Sequence, residues 1–464
     1  MMMPTASNTR QPSKGIWLTT IYCLLMALVW HVSASPLAPL ALALAPLGLV
    51  MVVSSHFWFV LLFILFSFFR IHEVIPQLYS FKIPLLLSAA ALGGILWHLF
   101  ISRQLVPYWH RSLAWLLLFW GLVIIGIVFA SNRGIAIANF KGIYWKIIIM
   151  SLAVMWILNS ARQLSAVSVL ITLSGLLVGC VALFNSINGI GLVEGSRVTI
   201  GRDIGSMLGD PNDLALVLMF PYAFALSVLL LPGSQRFYRA LCLVICLVLL
   251  FAVIATQSRG GLLGVLAVSG LFALRYIRSK SLLLLLAGAA SLLLYLASGI
   301  SDRSSGGAAE DGIDASAMGR LYAWEAAFRM ALDNPLTGVG LNNFYFNYFF
   351  YSSHWDGLNH AVHSTWFGVL AETGMLGLLV FICCIVSLIK TARHTIQRIE
   401  KDPQLFPAPV RVMAYAVYSG LVGTVVSGTF LTQGFNWPIY LLAALIISVA
   451  QIASQIEKNS PIKT

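Results

Sequence analysis

Charge is what this sequence has least of. Asp, Glu, Lys and Arg make up 9% of its 464 residues while 59% are hydrophobic, against roughly a quarter charged in a soluble globular chain. That shortage excludes a soluble enzyme. Cysteine offers no framework: Cys23, Cys180, Cys242, Cys246, Cys383 and Cys384 all fall inside apolar stretches, without a Cys-x-x-Cys pair or histidines at ligand spacing. They read as small core residues, not as a zinc site or a disulfide set. No Ser-His-Asp order, P-loop or dinucleotide glycine pattern stands out. Gly338-Val-Gly340-Leu-Asn-Asn343 lacks the flanking strand and third glycine of a phosphate loop. The polar start, Met1 to Lys14, leads into an apolar run with no small-residue cleavage pattern, so a cleavable signal peptide is not expected.

What the sequence has is long apolar runs. They lie near 15–31, 36–53, 56–69, 83–101, 112–130, 143–158, 164–190, 212–231, 238–256, 260–274, 281–299, 364–389, 412–430 and 437–454. A bilayer core ~30 Å thick is crossed by ~20 apolar residues. The expected fold class is therefore an all-α polytopic membrane protein with about twelve spanning helices, fourteen being the upper count. The uncertainty in number sits before residue 70, where the runs are short and crowded and two could be half-helices. An even count puts both termini on one side. Alternate loops then collect 17 basic residues, among them Arg103, Arg111, Arg162, Arg239, Arg275, Lys390, Arg398 and Arg411, against only Glu400, Asp402 and Glu457. By the positive-inside rule that face, with both termini, is cytoplasmic. The net charge of +12 is thus a topology signal, and nucleic-acid binding is not implied.

The opposite, outer face carries the unusual sequence. Its longest segment runs from about 301 to 362 and joins shorter stretches at 70–82, 131–142, 191–211 and 257–260. Its first part, 301–314, is rich in Gly, Ser and Asp and is expected to be mobile. Leu321, Trp324, Ala327 and Phe328 have helical spacing, so a surface helix is expected from Gly319 to Met330. A Gly/Asn turn at Gly338 to Asn343 follows, and then Phe344-Tyr-Phe-Asn-Tyr-Phe-Phe-Tyr351, a composition suited to the membrane interface.

An arginine on the outer side runs against the positive-inside bias, so each one there needs a reason. Arg259, in Gln257-Ser-Arg-Gly-Gly261 between two apolar runs, would stand where a lipid-linked phosphate lies, and its fork of donors suits bidentate phosphate binding. The plain alternative is snorkelling to the interface. Arg202 sits in a Gly- and Asp-rich stretch ending Asp210-Pro-Asn-Asp213. There Asp210 or Asn212 can cap a helix with Pro211 in its first turn, or Asp210 or Asp213 can aim Arg202. A divalent-metal reading of Asp210 and Asp213, with Glu310, Asp311 and Asp314, is weaker because no Asp-x-Asp pair follows an outer helix end. His363, in Asn359-His-Ala-Val-His-Ser-Thr-Trp366, can be neutral near pH 7 and take a proton from a hydroxyl. His354 and His360 compete for that role, and each could be an ordinary interfacial histidine. A zinc site at His360 and His363 lacks a further ligand at characteristic spacing. Glu372 falls inside an apolar run, where a carboxylate is costly and so a functional candidate. It could also be a hydrogen-bonded structural group.

These residues form an ordered set: Arg202-x-x-Gly205, Asp210-Pro-Asn-Asp-Leu-Ala215, Ser258-Arg-Gly-Gly261, Gly319-Arg320-x-x-x-Trp324, Asn334-Pro-Leu-Thr-Gly-Val-Gly340 and His363-Ser364 running to Glu372-x-Gly374. In this the sequence resembles the O-antigen ligase and polymerase superfamily of membrane-embedded glycosyltransferases, over roughly residues 200–380. The resemblance implies a GT-C-like, all-helical enzyme with a large periplasmic loop containing short helices. Residues 1–199 would be N-terminal spanning helices, 200–380 the core with its loop at 301–362, and 381–464 C-terminal spanning helices. It implies an O-antigen ligase that moves a glycan from undecaprenyl pyrophosphate to a hydroxyl of lipid A-core, inverting and metal-independent, with no cofactor, at the bacterial inner membrane. His363 would be the general base; Arg202, Arg259 and Arg320 would hold the pyrophosphate; Asp210, Asp213 and Glu372 would support them. An O-antigen polymerase or a protein O-oligosaccharyltransferase shares the motif set. A lipid-linked sugar transporter would place polar groups along both half-channels, whereas here the intramembrane charge is chiefly Lys146 and Glu372.

Overall fold

The computed structural model describes residues 14–33, 35, 37–232, 235–297 and 315–459. The 301–314 stretch, with Glu310, Asp311 and Asp314, lies outside the described residues, as do both chain ends. Within the described residues each of the fourteen apolar runs is a helix, as lipid demands of a backbone that has no water to bond. Eleven of those helices are long and apolar enough to cross a membrane. The remaining three are the short His56–Phe68 and the 18-residue Arg259–Tyr276 and Lys280–Ala297. The crowded start resolves into separate helices, Lys14–Val32, Leu37–Ser54 and His56–Phe68.

Burial orders these helices. Pro211–Leu230 and Trp437–Asn459 are buried almost all round, which marks central elements. The first packs on Ala161–Asn188, Arg236–Ala255, Arg259–Tyr276 and Ala408–Gly428, the second on Trp145–Ile157, Thr365–Lys401 and Ala408–Gly428. Lys14–Val32, Leu37–Ser54 and Lys280–Ala297 stay on the rim with Leu18, Leu40, Leu284 and their neighbours exposed, a lipid-facing surface. Some buried polar groups tie helices together: Ser227 Oγ donates to the Val412 carbonyl, and the Tyr144 and Tyr440 hydroxyls meet at 3.0 Å.

The two ends of the bundle differ. At one, Arg275 pairs with Glu400 and Arg398 with Glu457. At the other, the connections at 69–82, 129–132, 189–210, 256–258, 315–364 and 429–436 bond to one another. Ser206 Oγ reaches Glu73, the Asn132 N–H reaches Asn343 Oδ1, and the Val198 N–H reaches the Ala255 carbonyl. The expected surface helix is there as Ala315–Asp333, and the aromatic stretch forms the helix Phe344–Tyr351. Trp324 of the surface helix stacks on Phe367, with ring centroids 5.0 Å apart.

Thr365–Lys401 is not one continuous helix. Gly374 breaks it at φ 73°, ψ −174°, and a loop fills the break. The Met375 N–H bonds the Pro335 carbonyl, while the Val339 and Gly340 N–H groups bond the Ala371 and Glu372 carbonyls. A β-carbon on Gly374 would lie 2.5 Å from the Pro335 oxygen and 2.8 Å from that of Asn334, so only glycine fits. The segment Asn334 to Gly340 and the Glu372-x-Gly374 turn are therefore two halves of one clasp. It satisfies broken helix backbone with protein, the condition under which irregular chain survives at membrane depth.

Candidate active site

Three helix N-termini converge at the loop-rich end. Asp210 caps Pro211–Leu230 by accepting the Asn212 and Asp213 N–H groups at 2.7 and 3.3 Å. Ser258 caps Arg259–Tyr276 and Ser364 caps Thr365–Lys401. Asn212 Oδ1 accepts from Ser258 Oγ at 2.9 Å, joining the first two. Gln433 joins the first to the third: its Nε2 donates to Asp213 at 2.8 Å and its backbone N–H to Thr365 Oγ1 at 3.0 Å. Gly261 permits the close approach, because a β-carbon there would stand 2.4 Å from that of Ala215. Each helix start carries roughly half a positive charge, so their meeting point suits an anion.

His363 stands one residue before the Ser364 cap, with a backbone φ of 44° that side chains rarely adopt. Such strain, of order 1–3 kcal/mol, persists where surroundings impose it. Here Val362 is buried, and its carbonyl accepts the Trp324 indole N–H at 3.0 Å. Burial pushes the His363 imidazole below its ordinary pKa; Arg320 pushes the same way, Asp210 pulls back, and His360 and Arg197 add smaller downward contributions. The ring is thus biased toward the neutral form that can accept a proton. The two competing histidines are engaged elsewhere: His360 bonds Asp356 at 2.9 Å, and His354 stacks on Tyr322 at 3.9 Å between centroids.

The remaining candidates divide. Arg320 and Asp210 are brought to His363. Arg259 begins the helix that Ser258 caps, beside the Asn212 junction. Arg202 is exposed on the 201–206 loop, where its guanidinium bonds the Gly209 carbonyl at 3.4 Å. Neither aspartate aims it, since Asp210 is the cap and Asp213 holds Gln433. Glu372 belongs to the clasp as a hydrogen-bonded structural group: its carboxylate accepts the Asn342 N–H at 2.7 Å and the Phe344 N–H at 3.4 Å. Among the described residues no three His, Cys, Asp or Glu side chains gather as a metal-ligand group.

The structure adds two residues. Arg197, 7% exposed, donates from Nε to the Thr256 carbonyl at 3.2 Å and from its terminal nitrogen to Asn212 Oδ1 at 3.1 Å. It thereby ties the 189–210 loop to the helix junction. Gln433 is the other.

The O-antigen ligase family model matches residues 243–382. That segment is similar to the O-antigen ligase family. It contains Arg259, Arg320, His363 and both halves of the clasp, whereas Arg197, Arg202, Asp210 and Asp213 precede it, with Arg197 reaching it at the Thr256 carbonyl. No curated protein matches the chain. In a polytopic helical membrane protein this likeness supports an O-antigen-ligase-like function in general.

Proposed function

We propose that the protein transfers a completed glycan from undecaprenyl pyrophosphate to a hydroxyl of lipid A-core, at the periplasmic face of the inner membrane. The observation that carries this reading is His363, held toward its neutral form beside guanidinium groups where three helix N-termini meet. The loop-rich end lies opposite the basic loops, which by the positive-inside rule supports reading it as the periplasmic side.

In this reading the acceptor oxygen bonds to the donor's anomeric carbon as the bond from that carbon to the pyrophosphate oxygen breaks. The acceptor proton passes to His363, and the electron pair leaves with the pyrophosphate. Attack opposite the departing group inverts the anomeric centre. Arg259 and Arg320, with Arg197, offset the charge growing on the leaving oxygen, assisted by the helix dipoles; fixed donors aimed at developing charge are worth a few kcal/mol each. Arg202, on its exposed loop, would meet the distal phosphate as the donor enters. The cations supply what a divalent metal supplies elsewhere, so the reaction is written without one.

The test is transfer in proteoliposomes, with undecaprenyl-pyrophosphate-linked glycan as donor and lipid A-core, a second donor molecule or a pilin-type protein as separate acceptors. Glycan on lipid A-core is the expected product. A longer polyprenyl-linked chain or a glycoprotein would keep the site and change the acceptor. Donor crossing the bilayer without transfer would replace the reading by transport.

A further inference from the structure

A second cationic site lies beside the first. Between the helices His56–Phe68, Ile83–Leu96 and Trp145–Ile157, a groove of about 550 Å³ is lined by Arg70, His72, Lys82 and Lys146, with Glu73 as its carboxylate. Three fixed cations face one anion. That anion is already shared, since Glu73 bonds the Arg70 guanidinium at 3.0 Å, stands 3.4 Å from His72 and accepts from Ser206 Oγ. The Arg70 side chain is only 28% exposed and that of His72 10%, so both are held in place at the groove. With three fixed cations to one shared carboxylate, the groove has an excess of donors and suits a group that accepts hydrogen bonds and carries negative charge.

The backbone is unusual in the same place. Arg70 and Lys82, at the two ends of the connecting segment, both have left-handed φ values, 51° and 49°. Lys146 lies in the first turn of the helix that follows a π-helical turn, Phe140–Tyr144, a form frequent at functional sites. It stands within the candidate span Arg133–Ile157, which also carries Arg133 and Lys141, and it is the last charge before the uncharged stretch from residue 147 to 157, where a cation is expensive. The other wall is apolar: Phe63, Leu85 and Trp437. Cations at one part and hydrocarbon at another describe a ligand with an anionic head and an apolar tail.

We infer that this groove binds the headgroup of a phosphorylated membrane lipid, separately from the pyrophosphate of the donor. Resting on the transferase reading above, it holds the phosphate of the second lipid substrate. The Ser206–Glu73 hydrogen bond then links it to the 201–209 loop, which carries Arg202 and ends at Asp210, so that occupancy of one site is felt at the other.

Native mass spectrometry of the full-length protein released from detergent micelles tests this, with phosphatidic acid against phosphatidylcholine of the same acyl chains, and without donor. Phosphatidic acid should be retained in preference, and Lys82→Gln and Lys146→Gln should each lower that preference roughly five-fold, the worth of one basic residue at a lipid surface. Lys82 is exposed, so its variant does not depend on core packing, and Lys82→Arg should keep the preference. Equal retention of the two lipids, or an unaltered preference in both glutamine variants, overturns the inference. Full displacement of phosphatidic acid by millimolar inorganic phosphate would assign the groove to a soluble phosphate and overturn the lipid. Transfer in proteoliposomes that survives loss of this binding would leave the His363 reading standing and remove this one.

Discussion

Replacing Gly374 by alanine should damage the protein far more than one methyl group suggests. At φ 73° and ψ −174° the residue occupies backbone space that is essentially glycine's, and forcing a side chain into it costs about 1–3 kcal/mol. The new β-carbon would also stand 2.5 Å from the Pro335 oxygen. Relieving that contact means withdrawing the 334–340 segment, whose hydrogen bonds to residues 371–375 close the break; overpacking of this kind costs typically 1–3 kcal/mol more. The sum is about 4 kcal/mol, and it falls on the element that positions the chain between Trp324 and His363. Gly121→Ala is the control. That glycine lies within the Arg111–Val128 helix with nothing within 4 Å of the added carbon, and alanine is favoured over glycine there by about 1 kcal/mol. Apparent unfolding midpoints, followed by tryptophan fluorescence in one detergent at one scan rate, should fall for Gly374→Ala and rise slightly for Gly121→Ala. Unfolding is compared as a rate-dependent midpoint because large membrane proteins seldom refold on cooling. A Gly374→Ala protein as stable as wild type would refute the clasp.

His363→Ala should abolish transfer while the unfolding midpoint stays near that of wild type, and normal turnover would exclude the base. With His363 as base the rate should fall on the acid side, where the imidazole gains its proton, with the limb below the ordinary histidine pKa because burial and Arg320 disfavour the charged form. Arg320→Gln removes a cation and should move that limb to higher pH, whereas Asp210→Asn removes an anion and should move it lower; a limb indifferent to both would detach it from His363. Arg259→Lys should remain strongly impaired, since a point charge does not replace a bidentate fork, and near wild-type turnover would mark a snorkelling arginine. Asp210→Ala should cost about 1 kcal/mol through loss of the cap and Asp210→Asn much less, which unfolding midpoints would compare directly.

The helices were legible because each apolar run is long and the bilayer sets its length; all fourteen runs coincide with helices. Crowding before residue 70 obscured only whether the first runs were whole, and Ser54-Ser55 turns out to end one helix just before the next. Outer arginines were legible for a different reason: the positive-inside bias makes a cation there conspicuous. By that same argument Arg197 should have stood out. It did not, because Glu194 lies three residues away and the Gly- and Asp-rich stretch that follows drew the reading toward Arg202. Contacts reverse the order, since Arg197 is buried in the helix junction and Arg202 is exposed.

Glu372 shows the limit of arguing from cost. A carboxylate in an apolar run is expensive, and that expense was visible in the sequence; what offsets it was not. Its partners are the backbone N–H groups of Asn342 and Phe344, some thirty residues earlier, and no spacing rule reaches across the intervening loop. The Gly338 to Asn343 stretch likewise resembles a fragment of a phosphate loop, though without its flanking strand and third glycine. Its N–H groups instead face the carbonyls freed where Gly374 breaks a helix. Two motifs that look chemical when read separately become structural once they are seen to meet. The candidates for chemistry collect around His363: Arg320 directly, Arg259 and Arg197 through the Ser258–Asn212 junction, all on one end of the bundle. An assay that separates stability from turnover should therefore divide this set cleanly, with the clasp residues failing by unfolding and the His363 group failing by rate.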